Sequence, residues 1–205
     1  MNVLLINGSP DPQGCISTAF GVLEEEFAHE GVEVTQLQVG RHDIRGCVAC
    51  NGCRKTGACV FNDQVNEAAP LFEAANGIVI GTPVYYGQPN GTVVNFMQRL
   101  LYSTSFPKAM KVGASVVSCR RGGNSASFEQ LNQFFGISGM PIAGSTYWND
   151  VHGYSRADTL ADEEGVQTMR NLARSMAFLM RAIEVERGRA GLPQFERGNR
   201  TDFIR

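Results

Sequence analysis

The chain has 205 residues, 43% of them hydrophobic, enough to bury one core, so a single domain is the default. Its formal net charge of −2 offers neither a basic face for nucleic acid nor a strongly acidic carrier surface. No apolar run approaches the roughly 20 residues of a membrane span, and Met1-Asn2-Val3 opens a strand with no charged leader. A cytoplasmic protein is therefore expected, with no nucleic-acid or membrane partner and its six cysteines kept as thiols or metal ligands.

Val3-Leu4-Leu5-Ile6 is a short apolar run of the kind buried on both faces of a parallel sheet. Ala19 to Ala28 then repeats Phe20, Val22, Leu23 and Phe27 at helical spacing. Between them lies a loop rich in Gly, Ser, Thr and Pro, with Ser9, Cys15, Ser17 and Thr18 as candidate ligand contacts. A strand that ends in such a loop and feeds a helix offers an anion free N–H groups, hydroxyls and the positive helix end. The loop lacks the Lys of a Walker motif, and Gly8 to Gly14 does not fit the dinucleotide Gly-x-Gly-x-x-Gly spacing. A polar strand–helix turn without a ligand is the simpler alternative; three hydroxyls so close together weigh against it.

Glu33 to Val39 alternates apolar and polar positions like an edge strand. A Cys-rich loop spans Gly46 to Asp63, and Gln64 to Ala75 reads as a helix with Val65, Ala68, Leu71, Phe72 and Ala75 on one face. Gly77 to Gly81 is a buried strand that runs into a second long loop, Thr82 to Gly91. Val93 to Tyr102 is helical, and Val112 to Ser118 is the next strand, emptying into a third polar loop, Cys119 to Asn124. Phe128 to Phe135 reads as a short helix and Met140 to Ala143 as the final strand. Asp162 to Glu186 is a long helix, and residues 187–205 form a tail or surface arm beyond a single domain of residues 1–186.

Five strands alternating with helices imply an α/β fold with a parallel, doubly wound sheet, because each parallel step needs a crossover helix. In the order 2-1-3-4-5 the first, third and fourth strand ends are adjacent, so the three unusual loops converge on one site at the switch point. The first loop would hold phosphate. The second, with Thr82, Pro83, Val84, Tyr85, Tyr86 and Gly87, would flank a planar ring. The third, with Ser118, Arg120, Arg121 and Gly122, would add ring contacts and positive charge.

Gly8-Ser9-Pro10 with Ser17-Thr18, the Gly81-Thr82-Pro83-Val84-Tyr85-Tyr86-Gly87 loop and the Cys cluster together resemble the flavodoxin-like NAD(P)H-dependent FMN reductases, near the branch of iron–sulfur flavoproteins. The resemblance spans Met1 to Glu186. It implies a flavodoxin-like three-layer sandwich, bound FMN, and dimers or tetramers in which a neighbouring subunit helps cover the flavin. Many relatives carry Arg after Gly-Ser-Pro, where this chain has Asp11, which leaves phosphate binding to the backbone and hydroxyls.

Cys47-x-x-Cys50-x-x-Cys53 with Cys59 beyond is compact, and Gly46 to Gly57 is too polar to pack in a core. Thiolates at this spacing suit one iron–sulfur cubane better than structural zinc, whose ligands usually come as two separated pairs. The resemblance carries the ligand role, for one 4Fe–4S cluster, onto Cys47, Cys50, Cys53 and Cys59. A flexible thiol loop at a subunit contact is the equal alternative. Trp148 to Gly153 is read as a polar-aromatic segment after the last strand, with His152 a hydrogen-bonded structural residue rather than a proton donor.

The expected function is an FMN-dependent oxidoreductase in which NAD(P)H reduces the flavin, which reduces a small-molecule acceptor: a quinone, nitro or azo compound, or free flavin. The cofactor carries the chemistry, so no catalytic side chain is assigned. Two rivals remain open: an iron–sulfur flavoprotein that relays electrons between proteins, and a flavin-free thiol redox sensor.

Overall fold

The computed structural model describes residues 1–196, 198, 199 and 201. Strand β1 (Asn2–Asn7) shows why the molecule is layered. Its Val3 and Leu5 enter one apolar cluster and Leu4 and Ile6 another, so alternate residues serve opposite faces. In parallel register, β1 pairs with β2 (Glu33–Gln38) on one side and β3 (Gly77–Tyr85) on the other. A two-residue strand, β4 (Gln88–Pro89), folds back antiparallel on the end of β3. Strands β5 (Val112–Cys119) and β6 (Asp150–His152) continue the parallel sheet beyond β3. The order is β2-β1-β3-β5-β6 with β4 off the path, which is the expected 2-1-3-4-5 winding plus one hairpin strand.

Helix α1 (Cys15–His29) covers one face together with the long helix α7 (Glu163–Ala190), which supplies Met169, Leu172, Ala173, Met176 and Met180. The opposite face is covered by α3 (Gln64–Ala74), α4 (Gly91–Ser103) and α5 (Asn124–Ile137), through Phe72, Phe96, Leu100, Leu131 and Phe135. Two short helices, α2 (Cys53–Thr56) and α6 (Arg156–Ala161), lie in the Cys loop and after β6. No helix among the described residues is long and apolar enough to cross a membrane.

Several boundaries differ from the sequence-based ones, for local reasons. The final strand is Asp150–His152, not Met140–Ala143, which makes one bridge, from Ile142 to Gly113. Pro141 has no N–H to extend a ladder there. The true strand was hidden because Asn149 and Asp150 are polar yet buried. The segment read as following the last strand therefore contains it. Helix α1 starts at Cys15, so Ser17 and Thr18 belong to its first turn rather than to the loop. The chain from Thr82 to Tyr85 is strand rather than loop. Helix α7 continues through residues 187–190 and stops at Gly191, whose φ of +81° suits glycine. Of the expected tail, residues 197, 200 and 202–205 lie outside the described part.

Candidate functional site

The first loop is folded by its own polar groups. Asn7 accepts the Ser9 N–H on Oδ1 (2.9 Å) and donates from Nδ2 to Ser17 Oγ (2.9 Å), tying the strand end to the helix start. Ser9 Oγ accepts the Asp11 N–H (3.1 Å), so the Ser9 and Ser17 hydroxyls each retain a proton to donate. Thr18 Oγ1 instead donates to the Gly14 carbonyl (3.0 Å). Gly14 caps α1 without a side chain, and the first turn holds no acidic residue. The amides of Cys15, Ile16 and Ser17 precede the first helical hydrogen bond, from Thr18 N–H to Gly14 O (3.0 Å). Those three donors and the helix dipole form a cradle for an anion, and the loop fits a phosphate.

Residues that the sequence reading passed over hold this loop in place. Gly40 lies beneath it: a Cβ there would stand 2.3 Å from both the Ser9 carbonyl carbon and its oxygen. Asn90, the N-cap of α4, donates to Gly8 O (2.7 Å), and Gln38 Nε2 donates to Ser9 O (3.0 Å). Asp11 is a turn residue, its Oδ1 accepting the Gln13 N–H (3.0 Å). Arg41 donates to Pro10 O (2.8 Å), bringing a guanidinium to the loop from the segment after β2. No sequence spacing announces Arg41, because its contact depends on β2 lying beside β1.

The second element is a hairpin. Tyr86 and Gly87 both have positive φ, +51° and +77°, as a two-residue turn of the primed kind requires. Tyr86 stands fully exposed at its tip and Tyr85 is half-exposed. Partial burial and the nearby Asp11 carboxylate push the Tyr85 hydroxyl above its usual range. Thr82 is fully buried: its hydroxyl accepts the Asn90 N–H (2.9 Å) and donates to Pro83 O (3.0 Å), so the side chain shapes the hairpin. Pro83 and Val84 lie on the strand that reaches the tip, beyond the point where β1 ends.

The third loop touches the hairpin directly. A Cβ on Gly123 would stand 2.8 Å from Gly87 Cα and from Val84 Cγ1, and Gly123 has φ +89°. Ser118 is buried in register between Pro83 and Val151, while Arg120, Arg121 and Gly122 are exposed. Cys119 is buried; burial and the Asp150 carboxylate push its thiol up, so it is an inert side chain rather than a reactive one. Asn124, which opens α5, donates to Asp150 at the foot of β6. A fourth segment joins the group: Cys15 Sγ lies 3.6 Å from Ser155 O, and Gly153 N–H donates to Cys119 O (3.1 Å). His152 bonds through its backbone N–H to Asp162 Oδ2 (2.7 Å) and is half-exposed. The three expected loops therefore meet, with the strand end after β6 as a further wall.

The cysteines form a separate feature. Cys47, Cys50, Cys53 and Cys59 line one small cavity, with Val48, Val60, Phe61, Arg99 and Tyr102 among its other walls. Among the described residues no three Cys, His, Asp or Glu side chains stand close enough to hold one metal ion. Cys47 and Cys50 are exposed, and the left-handed Ala49 (φ +53°) and Asn51 (φ +57°) curl the chain between the first three thiols. Cys47 Sγ accepts the Ala49 N–H (3.4 Å). Arg99 of α4, 1% exposed, donates to Cys59 Sγ from Nε (3.3 Å) and Nη2 (3.1 Å) and forks on Asp63 (2.7 and 3.0 Å). Burial opposes its charge, but the bonds to Asp63 and Cys59 outweigh that and hold the guanidinium more firmly protonated. Four sulfur donors around one cavity, one already bonded to a cation, fit an iron–sulfur cluster by donor chemistry.

A family model for NADPH-dependent FMN reductase matches residues 1–154. An iron–sulfur flavoprotein of Methanocaldococcus jannaschii is 29% identical over 192 residues, 90% of this chain and 100% of the relative. A second from that organism is 30% identical over 210 residues, covering 94% and 100%. An iron–sulfur flavoprotein of Methanosarcina thermophila is 27% identical over 191 residues, covering 91% and 99%. Among solved structures, RosB with bound 8-demethyl-8-formylriboflavin-5'-phosphate superposes with TM-score 0.73 at 15% identity, covering 100% of this chain and 94% of that one. An archaeal flavodoxin superposes with TM-score 0.59 at 13% identity, covering 88% and 99%. These structural likenesses establish the flavodoxin-like fold, and the sequence matches establish the lineage. The chain belongs to the NADPH-dependent FMN reductase family and is a flavin oxidoreductase of its iron–sulfur flavoprotein branch.

Proposed function

We propose that this chain binds FMN with its phosphate in the cradle of Ser9, Ser17 and the first-turn amides of α1, takes electrons from NAD(P)H, and delivers them to a small acceptor such as a quinone, nitro or azo compound or free flavin. The observation that carries this reading is the meeting of the phosphate cradle, the Val84–Gly87 hairpin and the Gly123 turn at adjacent strand ends. Bound FMN supplies hydride and electron chemistry. The protein's part is to orient and shield. Ser9 and Ser17 donate to the phosphate, and the hairpin and third loop flank the ring. Arg120 and Arg121 place positive charge beside it. Tyr85 and Tyr86 are the apolar surface that a second subunit would cover, keeping water from the ring in a dimer or tetramer.

The cavity lined by four cysteines favours a second reading of the same chain, in which Cys47, Cys50, Cys53 and Cys59 hold a 4Fe–4S cluster and electrons leave through it to another protein. The names of the archaeal relatives support it. Steady-state oxidation of NADH and NADPH by FMN-loaded protein with a quinone acceptor separates the two. Sustained turnover is expected for the enzyme, whereas reduction limited to one stoichiometric round would contradict it and leave the relay.

A further inference from the structure

Among the described residues Arg99 is the most deeply buried charged side chain, and it lies beside the cysteine loop rather than at the proposed flavin end. All three nitrogens of its guanidinium are engaged. Nη1 donates to Asp63 Oδ2 (2.7 Å) and Arg45 O (3.3 Å), Nη2 to Asp63 Oδ1 (3.0 Å) and Phe61 O (3.5 Å), and Nε and Nη2 both reach Cys59 Sγ. The Phe61 ring lies beneath it at 5.1 Å, and Arg45 stacks on that same ring at 4.8 Å. A buried guanidinium needs a counter-ion and acceptors for five N–H groups; Asp63 and the two carbonyls take four, which leaves Nε–H to the Cys59 sulfur. Nη2 turns to the same sulfur at 3.1 Å, closer than it comes to Phe61 O (3.5 Å), so Cys59 holds two contacts of the guanidinium.

We infer that Arg99, oriented by Asp63, is a positioning residue that fixes Cys59 as a cluster ligand and sets the reduction potential of the cluster. The inference rests on the cluster reading above. A 4Fe–4S cluster with four thiolates gains a further negative charge on reduction. Hydrogen bonds to its sulfurs, and a nearby cation, stabilise that reduced form and raise the potential. Asp63 acts in the opposite sense, since its carboxylate offsets part of the Arg99 charge. Neutralising the two residues therefore moves the cluster potential in opposite directions, whereas a pair that serves the fold alone moves it in neither at full iron content.

The test is a potentiometric titration of anaerobically purified full-length protein, following the cluster by EPR and the flavin by absorbance, for wild type, Arg99→Gln and Asp63→Asn. Asn at 63 can still accept the Val65 N–H that caps α3. Arg99→Gln should lower the cluster midpoint by at least tenfold in oxidised-to-reduced ratio, about 59 mV for one electron. Asp63→Asn should raise it, and the FMN midpoint should stay in place in both. Cluster midpoints unmoved at full iron content, or moved in the same direction in both variants, would overturn the role of Arg99 alone. Should Arg99→Gln fail to retain iron, the sign of the Asp63→Asn shift still decides. A wild-type protein that holds FMN but no iron overturns the cluster reading and this inference with it.

Discussion

The flavin end and the cysteine loop achieve order by different means. At the proposed flavin end, every wall is the continuation of a strand or the start of a helix, and the donors proposed for the phosphate are mostly backbone amides fixed by the fold. The cysteine loop hangs between β2 and α3 with only the one-turn helix α2 inside it, and two of its four thiols are exposed. It is held by side chains rather than by a sheet or a long helix: Arg99 donates to Arg45 O and Cys59 Sγ, Arg54 donates to Tyr102 OH (3.2 Å), and Asn66 Oδ1 accepts the Cys59 N–H (2.9 Å). The contrast separates preorganised binding from binding that completes the fold of its own loop. For the first, removing one contact weakens affinity by that contact; for the second, removing one ligand removes the site.

The largest effect should follow from breaking the unscaffolded side. Cys59→Ser is expected to reduce bound iron to background while FMN content stays at one per chain; parallel loss of FMN would show that the two regions are not independent. Next comes the scaffold itself. Gly40→Ala pushes a methyl into the Ser9 peptide, an overpacking that costs about 1–3 kcal/mol. It should lower both the melting temperature and FMN affinity with the iron site intact, and a variant of wild-type FMN affinity would mean that Gly40 does not hold the cradle. A smaller effect is expected from Ser9→Ala and Ser17→Ala. Each removes one hydrogen bond to a charged group, worth about 1.5–3 kcal/mol, or roughly tenfold or more in the FMN dissociation constant. Unchanged titrations in both would move the phosphate elsewhere. The smallest is Tyr86→Ser, which should raise the fraction of monomer seen by light scattering at micromolar concentration. A wild-type protein that is already monomeric with FMN held tightly would remove the subunit contact.

The same contrast explains what was legible in the sequence. The strand–turn–helix of the proposed phosphate cradle is legible because its signals are local: an apolar strand, a Gly- and Ser-rich turn, then helical periodicity. The sheet order followed from alternation of strands and helices. What escaped depends on neighbours distant in the chain. Gly40 and Arg41 matter only because β2 runs beside β1, and Asn90 only because the hairpin returns to Gly8. β6 was missed because its first residue, Asp150, is buried in a bond with Asn124, which no hydrophobic pattern reveals. Thr-Pro before two tyrosines reads as a loop, whereas Thr82 lies in β3 and its hydroxyl shapes the hairpin. The cysteine spacing was plain, but Arg99 was not: within the apolar helix α4 it reads as a surface residue, and only the packing of α4 on the loop turns it inward.

The central proposal is that one chain carries both a preorganised flavin site and a cysteine-held cluster. An absorption spectrum of anaerobically purified protein, with iron and FMN counted on the same sample, tests that directly. The expected result is a broad brown absorbance beneath the two flavin bands, with about four irons and one FMN per chain. Two flavin bands alone, with no iron after anaerobic reconstitution, would contradict it.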